Sequence, residues 1–229
     1  MNTPVVSPEV SHAPSLKNLL DDLHAHRVKT MNPADLAINI NQRALLVSEH
    51  QPDTIAQVGS VFPDFDVAEV NGSRVRLADL VAQGPAVIVF FRFANCPACN
   101  IALPYYQRNL YPALQAHQVP LLALSPQQSD KLVEIKQRHH FDFLVATDSG
   151  NALGRELGIL YEFDEASKAS ALAKGAPIGE VTGTGTWELP KPTVVVLDRQ
   201  RVIRFIHTAP DWLARAEAEP ILAAVADAF

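Results

Sequence analysis

Ala86-Val87-Ile88-Val89-Phe90-Phe91-Arg92-Phe93-Ala94-Asn95-Cys96-Pro97-Ala98-Cys99 is the stretch that decides the fold. Ala86 to Phe91 is an unbroken apolar run, as expected of a strand buried on both faces. The far end reads as a helix start. Proline is favoured at the first helical position and pushes the residue before it out of the α region. Cys96 is therefore the expected N-cap of a helix running from Pro97 to about Gln118, bent or split by Pro104 and Pro112. Strand Leu121–Leu124, helix Asp130–His139, strand Phe143–Ala146 and a short helix near Asn151–Leu157 follow. Strands alternating with helices imply βαβ units and a mostly parallel sheet.

Outward from this core the texture changes. Upstream, Asp64–Val70 and Arg74–Leu77 flank Asn71-Gly72, a strong hairpin signal. Downstream, Tyr161–Leu189 reads as an insertion whose Ala-rich part is helical and whose Gly175–Thr186 part is a loop. Thr193–Asp198 and Val202–His207 form a second expected hairpin, and Asp211 caps an expected last helix, Trp212–Ala228. At the other end, Ser15 to about His50 has helical periodicity. Leu16, Leu19, Leu20 and Leu23 share a face behind the capping Ser15, and Asn32-Pro33 restarts the pattern for a second apolar stripe, Leu36, Ile40, Ala44 and Val47. Gln51-Pro52-Asp53 reads as a linker. The expected organisation is a helical extension over 1–52 and an α/β domain over 53–229.

Composition narrows the function. The chain has 229 residues, 19 Lys+Arg against 25 Asp+Glu, a net charge of −6 and two cysteines. Area scaling lets it bury about 70% of its unfolded surface, so no disulfide staple is needed. Acidic balance argues against nucleic acid as a partner. No apolar run approaches the roughly 20 residues of a membrane span. MNTPVVSPEV lacks the basic and apolar regions of a signal peptide. The expectation is a soluble, cytoplasmic protein with no membrane partner.

Both cysteines sit at one helix start. An N-cap sulfur at Cys96 would face the free N–H groups of Ala98 and Cys99 and the positive end of the helix dipole. An ordinary cysteine, pKa about 8.5, is only about 3% thiolate at pH 7, and a shift of about two units makes it mostly thiolate. Cys99 is close enough in sequence to bridge with it. A loop that short would contribute only about 2 kcal/mol as a staple. Three readings are open: a reversible thiol redox couple, half a zinc site completed by histidines such as His139 and His140, or inert buried thiols.

The chain resembles the AhpC/TSA peroxiredoxin-like proteins of the thioredoxin-like fold, and within them the branch with a Cys-Pro-x-Cys motif. Four anchors carry this between about Val58 and Phe229. They are Val58-Gly59 with Pro63-Asp64-Phe65, Phe90-Phe91-Arg92 before Cys96-Pro97-Ala98-Cys99, Trp187-Glu188-Leu189-Pro190-Lys191-Pro192-Thr193, and Asp211-Trp212 through Glu219-Pro220. The resemblance implies a three-layer α/β/α sandwich with a mixed central sheet and an N-terminal helical extension. It implies Cys96 as nucleophile, Cys99 as resolving thiol, and Pro192 as the residue, often cis in that fold, that faces the cysteines. Arg92 could supply charge from the strand end.

The implied activity is a thiol peroxidase that needs no cofactor or metal. Its substrate is a hydroperoxide, its reductant a thioredoxin-type protein or glutathione, and a homodimer through the N-terminal helices is one arrangement. A thiol-disulfide oxidoreductase acting on disulfides is the alternative, and a non-enzymatic binding or zinc-holding module a third. The sequence departs from the family at the peroxide site. Phe93 stands where a Thr or Ser hydroxyl holds peroxide, and Val89 where a proline is usual. Phe93-Ala94-Asn95 replaces the branch's Gly-Gly-Trp, Lys191 is the basic residue nearest the usual fourth-strand arginine, and Arg201 replaces a hairpin glycine. Gly179, Gly183 and Gly185 with Thr182, Thr184 and Thr186 read as a loop rather than a phosphate cradle, and His207 as a core or edge histidine.

Overall fold

The computed structural model describes residues 14–229, so the segment inspected above for a signal peptide lies outside the described residues. Two helices come first, α1 (Leu16–Thr30) and α2 (Pro33–Ser48). Both form their expected caps: Ser15 accepts from the Asn18 N–H, and Asn32 from the Ala34 N–H with Pro33 at the first position. Leu16 and Leu20 are fully buried, and Leu19 and Leu23 pack beside them. The expected α2 stripe is wrong. Gln42 and Leu46 are buried instead, while Ile40 and Val47 are 39% and 51% exposed. The helix packs on α1 and on a helix of the 161–189 insertion, and these neighbours set the buried face.

The next elements are β1 (Asp66–Glu69), β2 (Arg74–Arg76), α3 (Leu77–Leu80), β3 (Ala86–Phe90), α4 (Cys99–Asn109), α5 (Tyr111–Ala116) and β4 (Leu121–Ser125). They lead into α6 (Ser129–His139), β5 (Leu144–Thr147), α7 (Ala152–Glu156), β6 (Leu160–Glu162), α8 (Glu165–Ala173) and α9 (Ile178–Thr182). The chain closes with β7 (Glu188–Pro190), β8 (Thr193–Leu197), β9 (Ile203–Thr208) and α10 (Ala218–Asp227). Seven strands form one sheet in the order β2-β1-β5-β4-β3-β8-β9. Only β3–β4 and β4–β5 are parallel; the remaining four pairings are antiparallel. The sheet is therefore mixed, as the resemblance implied, and not mostly parallel. The βαβ segment is real, but both hairpins join its edges and outnumber it.

Alternation along the central strands builds two cores. Val87, Val89, Leu121, Ala123, Val194 and Val196 point to one face, where they meet α1, α4, α6 and α10. Ala86, Ile88, Phe90, Leu122, Leu124, Val195 and Leu197 point to the other, under α3 and α7. Both cysteines belong to the first core.

One local feature is as expected and two differ. The helix after β3 is split at Leu110 before Pro112, and Pro104 sits within α4. The last helix begins at Ala218 rather than Trp212: Asp211 caps only a turn, accepting from the Leu213 N–H, before the chain straightens. In the insertion, β6 and β7 pair as a separate ribbon, and α9 occupies part of the expected loop. Arg201, in the glycine-like position of the second hairpin, adopts φ 66°, with its N–H bound to the Asp198 carbonyl.

Candidate active site

The loop between β3 and α4 is held by side chains from its neighbours. Ser125, at the end of β4, donates its hydroxyl to the Arg92 carbonyl at 3.0 Å. Gln127 accepts from the Ala94 N–H at 2.7 Å and donates to the Val181 carbonyl at 2.9 Å, joining the loop to α9. Asn100 donates its amide to the carbonyls of Ala94 and Cys96, at 2.7 and 2.9 Å. These contacts satisfy the polar backbone of a buried turn, which would otherwise be costly to close.

The helix begins differently from the expectation. Cys96 still accepts the first α-type bond, from the Asn100 N–H at 3.0 Å, but regular helix starts only at Cys99. Both cysteines are reduced and buried, 0% and 1% exposed. Burial pushes the Cys96 thiol up. A hydrogen bond from the Cys99 thiol, the Arg92 and Arg215 guanidinium groups and the Cys99 N–H outweigh it and bring the pKa to about 5. Cys99 moves the other way, raised by burial and by the sulfur beside it. The pair is thus split into one thiolate and one thiol.

Arg92 is 7% exposed and its Nη1 lies 3.9 Å from Cys96 Sγ. Its guanidinium carbon sits 4.8 Å from the centre of the Trp212 ring, 5.4 Å from Phe93 and 5.9 Å from Tyr161. Four buried polar atoms in this cluster lack a hydrogen-bond partner: Arg92 Nε, Tyr161 Oη, Trp212 Nε1 and Arg215 Nη2. Unpaired donors gathered around a thiolate are unusual, because each carries a desolvation cost. They cluster around the Arg92 guanidinium, whose Nη1 is the group that reaches Cys96 Sγ.

Pro192 lines a small cavity with Cys99, Tyr106, Thr193, His207 and Arg215, and its peptide bond is trans, like every other among the described residues. His207 faces that cavity and so lies closer to the thiols than a plain edge histidine; burial and Arg215 lower its pKa. The basic residues that act on the cysteines are Arg92 and Arg215, not Lys191. His139 hydrogen-bonds Asn100 Oδ1 at 2.8 Å, and His140 ends α6 in the left-handed region. Among the described residues, no three His, Cys, Asp or Glu side chains converge as metal ligands would.

The AhpC/TSA family model matches residues 58–206, which contain the whole of this arrangement except His207, Trp212 and Arg215. The chain belongs to the AhpC/TSA family. It is 30% identical over 106 residues to the peroxiredoxin bcp1 of Schizosaccharomyces pombe, covering 46% of this chain and 54% of that one. It is 28% identical over 106 residues to the thiol-disulfide oxidoreductase ResA of Bacillus thuringiensis, covering 45% and 59%. The chain spans little more than half the length of these curated relatives. Among solved structures, peroxidoxin BcpB of Mycobacterium tuberculosis superposes with a TM-score of 0.58 at 18% identity, covering 75% of this chain and 97% of that one. That likeness is one of fold: a mixed sheet with helices on both sides. No helix among the described residues is long and apolar enough to cross a membrane.

Sequence reasoning named Cys96, Cys99, Arg92 and Pro192. It missed Ser125, Gln127, Asn100, Tyr161, Trp212 as a site residue, and Arg215. The pairing of Asp211-Trp212 with the family's closing segment was the one available pointer to that region.

Proposed function

We propose that the protein is a thiol peroxidase in which Cys96 is the nucleophile and Cys99 the resolving thiol. The observation that carries this is a pair of buried cysteines one helical turn apart with the Arg92 Nη1 3.9 Å from Cys96 Sγ, an arrangement that lowers the Cys96 pKa to about 5 and raises that of Cys99. Cys96 thiolate attacks the terminal oxygen of a hydroperoxide, the O–O bond breaks, and the leaving alkoxide or hydroxide takes up a proton. Cys96 is left as a sulfenic acid. Cys99 then attacks its sulfur, the S–O bond breaks, and water leaves with the Cys99 proton. A thiol donor, a thioredoxin-type protein or glutathione, returns the disulfide to two thiols. Arg92 stabilises the thiolate and the developing oxyanion. Tyr161 Oη and Trp212 Nε1 supply donors that Phe93 does not, and Pro192 shapes access beside Cys99. A thioredoxin-type or glutathione donor fits a reducing compartment such as the cytoplasm, and a homodimer is compatible with this cycle.

The test is peroxide consumption with a thiol donor, together with trapping of a sulfenic acid at Cys96 in a Cys99→Ser background. Wild type should turn over and Cys96→Ser should not; unchanged turnover in Cys96→Ser ends the proposal. One observation favours a second reading. The position of the family hydroxyl is filled by the Phe93 ring, packed 5.4 Å from the Arg92 guanidinium. In that reading the same thiolate attacks disulfides, and insulin-disulfide reduction without peroxide turnover would establish it.

A further inference from the structure

The strongest unassigned feature is an accumulation of guanidinium groups in a chain whose net charge is −6. Three arginines surround the Trp212 indole: Arg92, Arg27 and Arg43, with guanidinium carbons 4.8, 5.2 and 5.5 Å from its ring centre. They arrive from three separate segments, the loop after β3, α1 and α2. Arg215 follows Trp212 by three residues and lies within electrostatic reach of both thiols.

Counter-charge falls short. Of these four, only Arg43 has a carboxylate partner among the described residues, Asp211, which it meets through two N–H donors at 2.7 Å. Arg27 reaches only the amide oxygen of Asn39, at 3.2 Å. Arg92 has Cys96 Sγ, and Arg215 gives one nitrogen to two backbone carbonyls and leaves the other unpaired. Burial, then the proximity of Arg92 and Arg43, lowers the pKa of Arg27, with Cys96 acting against them. One thiolate and one carboxylate leave two cations uncompensated beside the reacting sulfur. An arriving anion would relieve that repulsion.

We propose that this cluster selects anionic co-substrates: a hydroperoxide or disulfide bearing a carboxylate is taken over its neutral or cationic counterpart, and half-buried Arg27 meets the carboxylate. The inference rests on Cys96 being the reacting thiolate, and holds whether that thiolate attacks peroxide or disulfide.

Alkylation tests it without requiring turnover. In a Cys99→Ser background only Cys96 can react, and its rates with iodoacetate and iodoacetamide give a charge-selectivity ratio. The ratio should exceed that of a small neutral thiol. It should fall about fivefold in Arg27→Gln, the effect of one charge about 4 Å from the carboxylate at water's dielectric constant, and more if the site is drier. Arg27→Lys keeps the charge and should keep the ratio, separating electrostatics from lost packing on Trp212. In parallel, reduced wild type should react faster with oxidised glutathione than with cystamine, and Arg27→Gln should narrow the gap. A ratio unchanged in Arg27→Gln overturns the inference, as does failure of Cys96 to react with either reagent. Absence of peroxide turnover with a charge-selective Cys96 would instead count against the peroxidase reading alone.

Discussion

Cys99→Ala is the sharpest test of how the thiolate is held. Burial works against the charge on Cys96, yet its pKa falls from the ordinary value of about 8.5 to about 5. That displacement corresponds to about 5 kcal/mol of preference for the thiolate. The first contribution in its favour is the hydrogen bond from the Cys99 thiol, ahead of Arg92 and Arg215. A hydrogen bond to a charged acceptor is worth about 1.5–3 kcal/mol, or about 1–2 pH units. Deleting that donor should therefore move the apparent Cys96 pKa from about 5 to about 6–7. The backbone N–H of residue 99 remains in either variant. Cys99→Ser keeps a hydroxyl donor in the same place and should leave the midpoint close to 5.

The assay is thiolate ultraviolet absorbance, or the initial alkylation rate, followed against pH on reduced protein. A Cys99→Ala midpoint still near 5 would show that Arg92 and the helix start hold the charge alone, refuting the split-pair account.

Three further outcomes follow from the same geometry. Because the Cys96 pKa is depressed on folding, the unfolded chain holds a proton that the native state has released, so the contribution is present above the ordinary thiol pKa and is lost as pH falls through about 5. Between that pH and about 8, unfolding free energy of reduced wild type relative to Cys96→Ser should rise by about 1.4 kcal/mol per pH unit in denaturant titrations; a flat difference refutes it. Tyr161→Phe should lower peroxide kcat/KM by about 10- to 100-fold while the Cys96 alkylation midpoint stays in place, since the lost hydroxyl serves the leaving oxygen; equal turnover removes Tyr161 from the donor set. Gln127→Leu strands the Ala94 N–H and should cost about 1–3 kcal/mol in denaturant unfolding, with slower Cys96 alkylation.

The part of the site that the sequence disclosed is the part made by neighbours in the chain. The apolar run 86–91, the proline after Cys96 and the spacing of the two thiols are local signals. They located β3, the helix start and the buried cysteine pair, although regular helix begins two residues late because the loop is tied to Asn100 and Gln127. The α2 stripe failed for the opposite reason: its buried face is chosen by α1 and α8, which no periodicity within α2 encodes. The same holds for Tyr161, Trp212, Arg215 and Arg27, which are separated along the chain and meet only when the 161–189 insertion, the C-terminal turn and the first helix fold onto one sheet face.

This division bears directly on the missing hydroxyl at Phe93. Judged by the motif alone, its loss weakens a peroxidase, because the family's peroxide-holding group lies on the same local loop as the cysteine. Here unpaired donors lie on non-local segments beside Arg92 and Cys99, at Tyr161, Trp212 and Arg215. A donor acts on the departing oxygen through its position and not through its place in the sequence. The substitution at position 93 therefore shifts the question from whether the loop carries a hydroxyl to whether Tyr161 and Trp212 take over its hydrogen bonds. That is why a Tyr161→Phe variant, more than any change within the motif, separates a peroxide-directed thiolate from a disulfide-directed one.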